Sequence, residues 1–283
     1  MRLLLVIGVG LALVACPPPA PTTPRPVADP RAGIDPINRV NVAQLRAHTQ
    51  TILGELVAAL PDERRASVAN YDLQFDNALG DVNAYATCGE GGAPIVAVSD
   101  GMLLIVAHLA MSTATDQVFE SEKRSQYLDW ISEHGVKPPP PGFYAPAYHT
   151  DRSKVLRQRE LFDEQVAFIL GHELAHHYLG HLGCGELQLG VLPDVPMFEQ
   201  AEELSADVAA VRNLLTAGKR RAGYEWTEAG ALLVLAAFHA RMEITVRAVV
   251  FAFERTHPLP ALRMPLITTT ADLWKLTSEY TPI

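Results

Sequence analysis

Residues 171–181 read Gly-His-Glu-Leu-Ala-His-His-Tyr-Leu-Gly-His and contain the pattern H-E-x-x-H at His172, Glu173 and His176. On an α-helix, residues four apart lie one turn apart, so both imidazoles leave the same face and can bind one metal ion. Glu173 follows His172 directly, so its carboxylate would lie beside the metal, where it can take a proton from water. A helix that merely carries several histidines is the alternative. The pattern therefore favours a zinc site, for which the rest of the chain must supply a third ligand.

The composition is that of an ordinary globular protein. Of the 283 residues, 48% are hydrophobic and 19% are charged, which suits one large domain or two small ones with a sizeable core. The formal net charge is −9, and no basic patch is present that could neutralise phosphates. We therefore expect no nucleic acid partner.

The N-terminus has the features of an export signal. Arg2 precedes an apolar run at residues 3–14, which is too short to span a membrane. Residues 13–16, Leu-Val-Ala-Cys, resemble a bacterial lipobox, which implies a signal peptide at residues 1–15 and a lipid anchor on Cys16. A plain signal peptide cleaved nearby is the alternative. The next residues lack the aspartate that retains lipoproteins at the inner membrane, so we expect an envelope protein, on the outer membrane facing the periplasm if the host has two membranes.

Residues 16–36 are rich in proline and cannot build a core, so they predict an extended linker between the anchor and one domain at residues 37–283. Two further cysteines, Cys88 and Cys184, belong to that domain. In an exported protein such a pair can form a disulfide, and two buried free thiols are the other interpretation. The sequence leaves both open.

Hydrophobic periodicity predicts a mostly helical α+β domain. The run Ile95-Val96-Ala97-Val98 indicates a strand. Residues 137–148 contain four consecutive prolines and three aromatic residues, which indicates a surface loop that is either a lid or an inert insertion. Helical spacing predicts helices at residues 38–60, 101–111, 119–130, 154–182, 197–217 and 226–255.

Two places downstream could supply the third metal ligand. His181 is five residues after His176, about 140° round the helix, so we expect it on the surface or beside the ligands rather than on the metal. Glu203 and Asp207 lie four apart on the next predicted helix and share a face. Two inward carboxylates are costly unless a cation meets them: one could bind zinc while the other accepts the N–H of a ligating imidazole. A solvated acidic face is the alternative.

This combination of motifs resembles the M48 family of gluzincin metallopeptidases. The E-x-x-x-D motif of that family matches Glu203 and Asp207, which implies that Glu203 is the third ligand of one zinc ion and that Asp207 orients a ligand. The resemblance extends over about residues 40–265. It implies a zincin-like metallopeptidase domain with a small β-sheet beside the active-site helix, in the soluble, lipid-anchored branch of the family.

The resemblance also implies how such a site would work. Residues 83–86, Asn-Ala-Tyr-Ala, resemble the family's N-A-F-A loop, and Thr256-His257-Pro258 with Arg263 resembles its T-H-P-x-x-x-x-R element. Glu173 would act as the general base, and His257 would donate a hydrogen bond to the oxyanion, with Arg263 in the same region. The predicted substrate-binding residues, along an edge strand that a peptide could extend, are Asn83, Ala84, Ile95, Val96 and Val98.

The function expected from the sequence is zinc-dependent hydrolysis of peptide bonds in exported or envelope proteins. The alternative is a zinc-binding envelope lipoprotein without hydrolytic activity, acting as a chaperone or assembly factor. The presence of Glu173 counts against that alternative, because a scaffold needs no general base. A metal-dependent amidase or esterase is a further, less favoured interpretation.

Overall fold

The computed structural model describes residues 36–77, 81–184, 199–244 and 260–278. Within these ranges the chain forms α-helices around one three-stranded sheet, the mostly helical α+β fold that the sequence predicts. The expected signal peptide, Cys16 and nearly all of the proline-rich linker lie outside the described residues. The elements are α1 Pro36–Arg39, α2 Val42–Ala59, α3 Asp62–Ser67, β1 Asp72–Asp76, β2 Ala84–Cys88, β3 Pro94–Ser99, α4 Asp100–Phe119, α5 Lys123–His134, α6 Arg152–Tyr178, α7 Gln200–Lys219, α8 Ala229–Ile244 and α9 Pro260–Ser278.

The helix that carries the H-E-x-x-H pattern, α6, lies at the centre of the domain. It begins where the Asp151 side chain accepts the backbone N–H of Lys154 at 2.9 Å, a typical N-cap. Residues 161–176 are all buried, because α2, α4, α7, α8 and the sheet pack around them. The candidate metal ligands His172 and His176 therefore lie in the interior of the protein and not on an exposed helix face.

Two buried acidic side chains in the middle of α6 have hydrogen-bond partners on other elements. Glu164 accepts the backbone N–H and the hydroxyl of Thr227 at 2.8 and 2.7 Å, just before α8. Asp163 is completely buried. Because buried carboxylates are costly without partners, these contacts fix α6 against its neighbours. The partners of Asp163 are His48, Arg221 and Tyr224.

The sheet has the strand order β1-β3-β2, so β3 is its central strand. It pairs in parallel with β1 and antiparallel with β2. The strand predicted at residues 95–98 is confirmed, but its prediction as an edge strand is wrong. Strand β1 was not predicted, because its stretch Asp-Leu-Gln-Phe-Asp is mostly polar. The predicted substrate-binding residues Ile95, Val96 and Val98 are consequently paired on both sides, and β1 and β2 form the two edges of the sheet.

Two contacts tie the sheet to α6. Cys88 at the end of β2 forms a disulfide with Cys184, just after the helix, with their Cα atoms 5.7 Å apart. His177 Nε2 lies 2.9 Å from the carbonyl oxygen of Ile95. The ring of His177 therefore points to the sheet and away from the metal-ligand face, as its position in the sequence predicts.

The proline-rich loop at residues 137–148 is fixed to the domain by its aromatic residues. The Tyr144 hydroxyl lies 2.7 Å from the Ser112 hydroxyl on α4, and the Tyr148 ring lies 4.6 Å from that of Phe119. Phe143 packs against the hydrophobic core. These contacts favour a fixed insertion over a lid.

Among the described residues, one helix, α4, is long and apolar enough to cross a membrane. Most of it is buried inside the protein. This burial matches the prediction that residues 101–111 form a core helix rather than a membrane span.

The last helix, α9, was not predicted from the sequence. Pro265 and the three consecutive threonines at 268–270 obscure its helical periodicity. Ile267 and Ala271 are buried where α9 packs against α7 and α8. This packing brings Arg263, near the start of α9, into the interior beside α7.

Candidate metal centre

His172 and His176 direct their rings to one point in the core. Both residues have no exposed surface, and their Nε2 atoms lie 3.2 Å apart. Gly171 faces Ala210 of α7, where the two helices approach closely enough for carboxylates of α7 to reach the histidines.

The first turns of α7 divide its acidic residues into two groups. Glu199 and Glu202 form a capping box, in which each side chain accepts a backbone N–H of the other residue. Glu203 and Asp207 turn inward and are completely buried. The alternative of a solvated acidic face therefore does not describe Glu203 and Asp207.

Glu203 closes the group of candidate ligands. Its Oε2 lies 3.2 Å from Nε2 of His172, and its Oε1 lies 3.6 Å from Nε2 of His176. Two ligand atoms at about 2.0–2.1 Å from one zinc ion with tetrahedral geometry are about 3.3 Å apart. The three side chains therefore fit a single zinc ion bound through two imidazoles and one carboxylate.

Asp207 lies behind His172, on the side away from the other ligands. Its Oδ1 is 3.0 Å from Nδ1 of His172. Arg263 donates to both oxygens of the same carboxylate, from Nε at 2.7 Å and from Nη2 at 2.6 Å. If Nδ1 of His172 donates to Asp207, Nε2 is the nitrogen left to bind a metal, which is the arrangement found in many zinc sites. Asp207 thus has the orienting position implied by the M48 resemblance, and Arg263 supports it.

The electrostatics of the cluster favour a cation at Nε2 of His172. Burial alone would lower the pKa of His172, but its contacts with Asp207 and Glu203 raise it to about 9. For the carboxyl group of Asp207 burial acts in the opposite direction and would raise the pKa, but the charge of Arg263 holds this pKa well below its usual range. A site that stabilises a proton so strongly between carboxylates would also stabilise a metal ion in place of that proton.

Glu173 and His181 complete the surroundings of the triad. Glu173 is buried and close enough to Arg263 to affect its pKa, but it is not part of the triad. His181 is not part of the triad either; its Nδ1 lies 2.9 Å from Nδ1 of His176. The prediction that His181 lies beside a ligand and not on the metal agrees with this geometry.

A comparison with protein families matches residues 107–272 to Peptidase U49, over more than half of the chain. The chain belongs to the Peptidase U49 family. The expectation of a peptidase is thereby confirmed, although the family that matches is U49 and not M48. No curated protein and no solved structure matches the chain.

The part of the chain that matches Peptidase U49 begins in α4 and ends in α9. It contains both histidines and the glutamate of the triad, together with Glu173, Asp207 and Arg263. The sheet, with Ala84 at the start of β2 and Asn83 just before it, precedes this part of the chain.

Two predicted site residues of this U49 peptidase, His257 and Cys16, lie outside the described residues. Ser205 was missed: its hydroxyl lies 3.2 Å from Nε2 of His181. The sequence Gly180-His181 could have indicated that His181 turns back towards the end of α6, but it carries no signal for Ser205, which lies on α7.

Proposed function

We propose that this U49 peptidase is a zinc-dependent endopeptidase. The observation that carries the proposal is the buried triad of His172, His176 and Glu203, with Glu173 on the same turn of α6. Two histidines and a glutamate are the ligand set of gluzincins, so we propose that kind of metal site for this chain. One zinc ion is the cofactor, and proteins or peptides are the substrates.

When bound, zinc would polarise the scissile carbonyl and lower the pKa of water from about 15.7 towards neutrality. Glu173 is the general base that accepts the proton of the attacking water. Asp207 and Arg263 hold the ring of His172, and the buried surroundings keep these charges effective. His257 remains the proposed donor to the oxyanion, on the basis of its sequence motif alone.

The substrate would bind along β2 and not along β3. Ser99 N donates to Asn83 O at 2.9 Å, and Gly89 N donates to Ala93 O at 2.7 Å. Because alternate residues of an antiparallel strand face its partner, Ala84 and Ala86 direct their backbone N–H and C=O groups to the outer edge. No strand of the described ranges pairs with that edge. An extended peptide could therefore add there as a fourth strand beside α6.

The proposed location is the bacterial cell envelope, with a lipid on Cys16 as the anchor. The lipobox at residues 13–16 and the proline-rich linker support it. The disulfide between Cys88 and Cys184 is a second support, because such bonds persist in oxidising compartments. The outer membrane, facing the periplasm, is the site proposed for a host with two membranes.

Metal removal tests the proposal. The purified chain is digested against an unbiased peptide library before and after dialysis with a chelator, and then after addition of one equivalent of zinc. We expect cleavage to disappear and return, and Glu203→Ala to weaken zinc binding itself. Cleavage that persists in the zinc-free protein would contradict the metal requirement. Tight zinc binding without any cleavage would favour the chaperone or assembly factor.

A further inference from the structure

The turn that follows α6 brings His181 back under the last turn of the helix. Gly180 has a φ of +79°, the left-handed conformation that glycine adopts most easily. Gly180 N donates to His177 O at 3.1 Å, and His181 N donates to His176 O at 3.0 Å. These two bonds define a Schellman motif, which places the side chain of the residue after the glycine against that of the residue five positions earlier.

In Schellman motifs that side-chain contact is frequently hydrophobic, whereas here it joins two imidazoles. The Nδ1 atoms of His181 and His176 lie 2.9 Å apart, within hydrogen-bond distance. Their rings meet edge to face, with centroids 5.0 Å apart. His176 therefore has a partner on the ring nitrogen that does not point to the metal position.

The contacts continue from His181 to α7. His181 Nε2 lies 3.2 Å from the Ser205 hydroxyl, which donates to the backbone carbonyl of Glu202 at 2.9 Å. Glu202 directly precedes the ligand Glu203. A chain of hydrogen bonds thus joins the turn after α6 to the turn of α7 that carries the third ligand.

If a metal binds Nε2 of His176, the donor and the acceptor of each hydrogen bond in this series are determined. The proton of a neutral imidazole must then lie on Nδ1 of His176, so that atom donates and Nδ1 of His181 accepts. The proton of His181 is consequently on Nε2, where it donates to the Ser205 oxygen. Each group has one donor and one acceptor role.

We propose that His181, held by Ser205, is a positioning residue that fixes the tautomer and orientation of the metal ligand His176. This proposal rests on the proposed metal site. In it, His181 orients His176 in the way that Asp207 orients His172. The ring of His181 contacts Nδ1 of His176 and the Ser205 hydroxyl, and its proposed effect on the metal position passes through His176. Partners of this kind typically change metal affinity about 10- to 100-fold.

The experiment measures zinc affinity of the full chain by competition with a chromogenic chelator, for wild type, His181→Ala and His181→Asn. Asparagine is the conservative variant, because its Oδ1 can occupy the place of the accepting Nδ1. We expect His181→Ala to bind zinc about 10- to 100-fold more weakly and His181→Asn to recover most of the loss. Equal affinity of wild type and His181→Ala would overturn the proposal, as would an asparagine variant as weak as the alanine variant.

Ser205 offers a smaller change with a matched control. Ser205 is exposed, so water can replace its hydroxyl, and Ser205→Ala should weaken zinc binding less than His181→Ala. Ser125 makes the same hydroxyl-to-carbonyl bond three residues back on α5, at 2.9 Å to Glu122 O, far along the chain from the metal site. Ser125→Ala should leave zinc affinity unchanged, and an equal loss in both serine variants would contradict the assigned role.

The tautomers of His176 and His181 can be measured directly, and a purely structural role of His181 would not determine them. Long-range ¹H–¹⁵N spectra of the zinc-loaded wild type should show the proton on Nδ1 of His176 and on Nε2 of His181. A proton on Nδ1 of His181 would overturn the proposal even if His181→Ala failed to fold. If the wild type binds no zinc, the proposed function is overturned as well. If the wild type binds zinc and His181→Ala does not change the affinity, only the proposal for His181 is overturned.

Discussion

Asp207 accepts two hydrogen bonds from Arg263, at 2.7 and 2.6 Å, while its Oδ1 also lies 3.0 Å from the ring of His172. The guanidinium and the carboxylate are both buried. One carboxylate therefore neutralises the buried Arg263 cation and orients His172, a proposed metal ligand. Substitutions of Asp207 and Arg263 can test these two roles separately.

We expect Asp207→Asn to lose both stability and zinc affinity. Arg263 would keep its buried charge without its main counter-charge, which costs about 3–5 kcal/mol, and zinc binding should weaken about 10- to 100-fold. Urea unfolding of the metal-free protein and chelator competition measure the two effects. The double variant Asp207→Asn, Arg263→Met should regain stability and not zinc affinity.

Asp100 provides the control, because it forms the same two-bonded pair with Arg46 at 2.7 and 2.6 Å. The Arg46 side chain is 31% exposed, so water screens this pair. Asp100→Asn should cost about 1 kcal/mol or less and leave zinc affinity unchanged. Equal losses in both aspartate variants would show that burial of the Arg263 pair has no special effect.

A second prediction concerns pH. Burial raises the pKa of Glu164 to about 7, although hydrogen bonds from Thr227 lower it in part. The folded state therefore holds this proton at pH values where the unfolded chain, with an ordinary pKa, has released it. The stabilisation is complete below the unfolded pKa and is lost as the pH rises through about 7, by about 3 kcal/mol in all.

Glu164→Gln should remove this dependence, since glutamine keeps an acceptor for Thr227 and carries no charge. Relative to wild type, its free energy of unfolding should increase between pH 5 and pH 8. Urea unfolding at both values measures the difference. A constant difference between Glu164→Gln and wild type would contradict the raised pKa.

A third prediction concerns the disulfide. Cys88 and Cys184 are 96 residues apart, so their bond restricts the unfolded chain by about 4–5 kcal/mol in the chain-entropy description. Cys88→Ala with Cys184→Ala should lose stability of this order, and a thiol reductant should give wild type the same loss. A chain with Cys16→Ser allows the thiols to be counted. Two reactive thiols in the unreduced, denatured protein would show that the bond is absent.

The sequence predicted α6 and α7 well, because apolar residues recur at helical spacing along both and glycines or prolines flank them. It also placed the two histidines correctly, since residues four apart on one helix must share a face. The choice between Glu203 and Asp207 could not be made from spacing alone. It came from the M48 resemblance, and the buried geometry agrees with it.

Other features of the fold depend on contacts between residues that are far apart in the sequence, and these could not be predicted. Residues 95–98 form a strand as predicted, but their central position follows from β1, whose polar sequence hides it. The helix α9 was not predicted, because proline and threonine interrupt its hydrophobic periodicity. The burial of Arg263 could therefore not be predicted either. The pairing of Cys88 with Cys184 had no signal in the spacing of two cysteines.

The central claim is that Glu173 acts as the general base beside a zinc ion held by His172, His176 and Glu203. The most direct measurement is the rate of peptide-library cleavage by Glu173→Gln protein that carries one zinc per chain, compared with wild type at the same zinc content. We predict unchanged zinc binding and a loss of cleavage of about 10²- to 10⁴-fold, the range typical of general-base catalysis. Undiminished cleavage by the zinc-loaded Glu173→Gln protein would contradict the account.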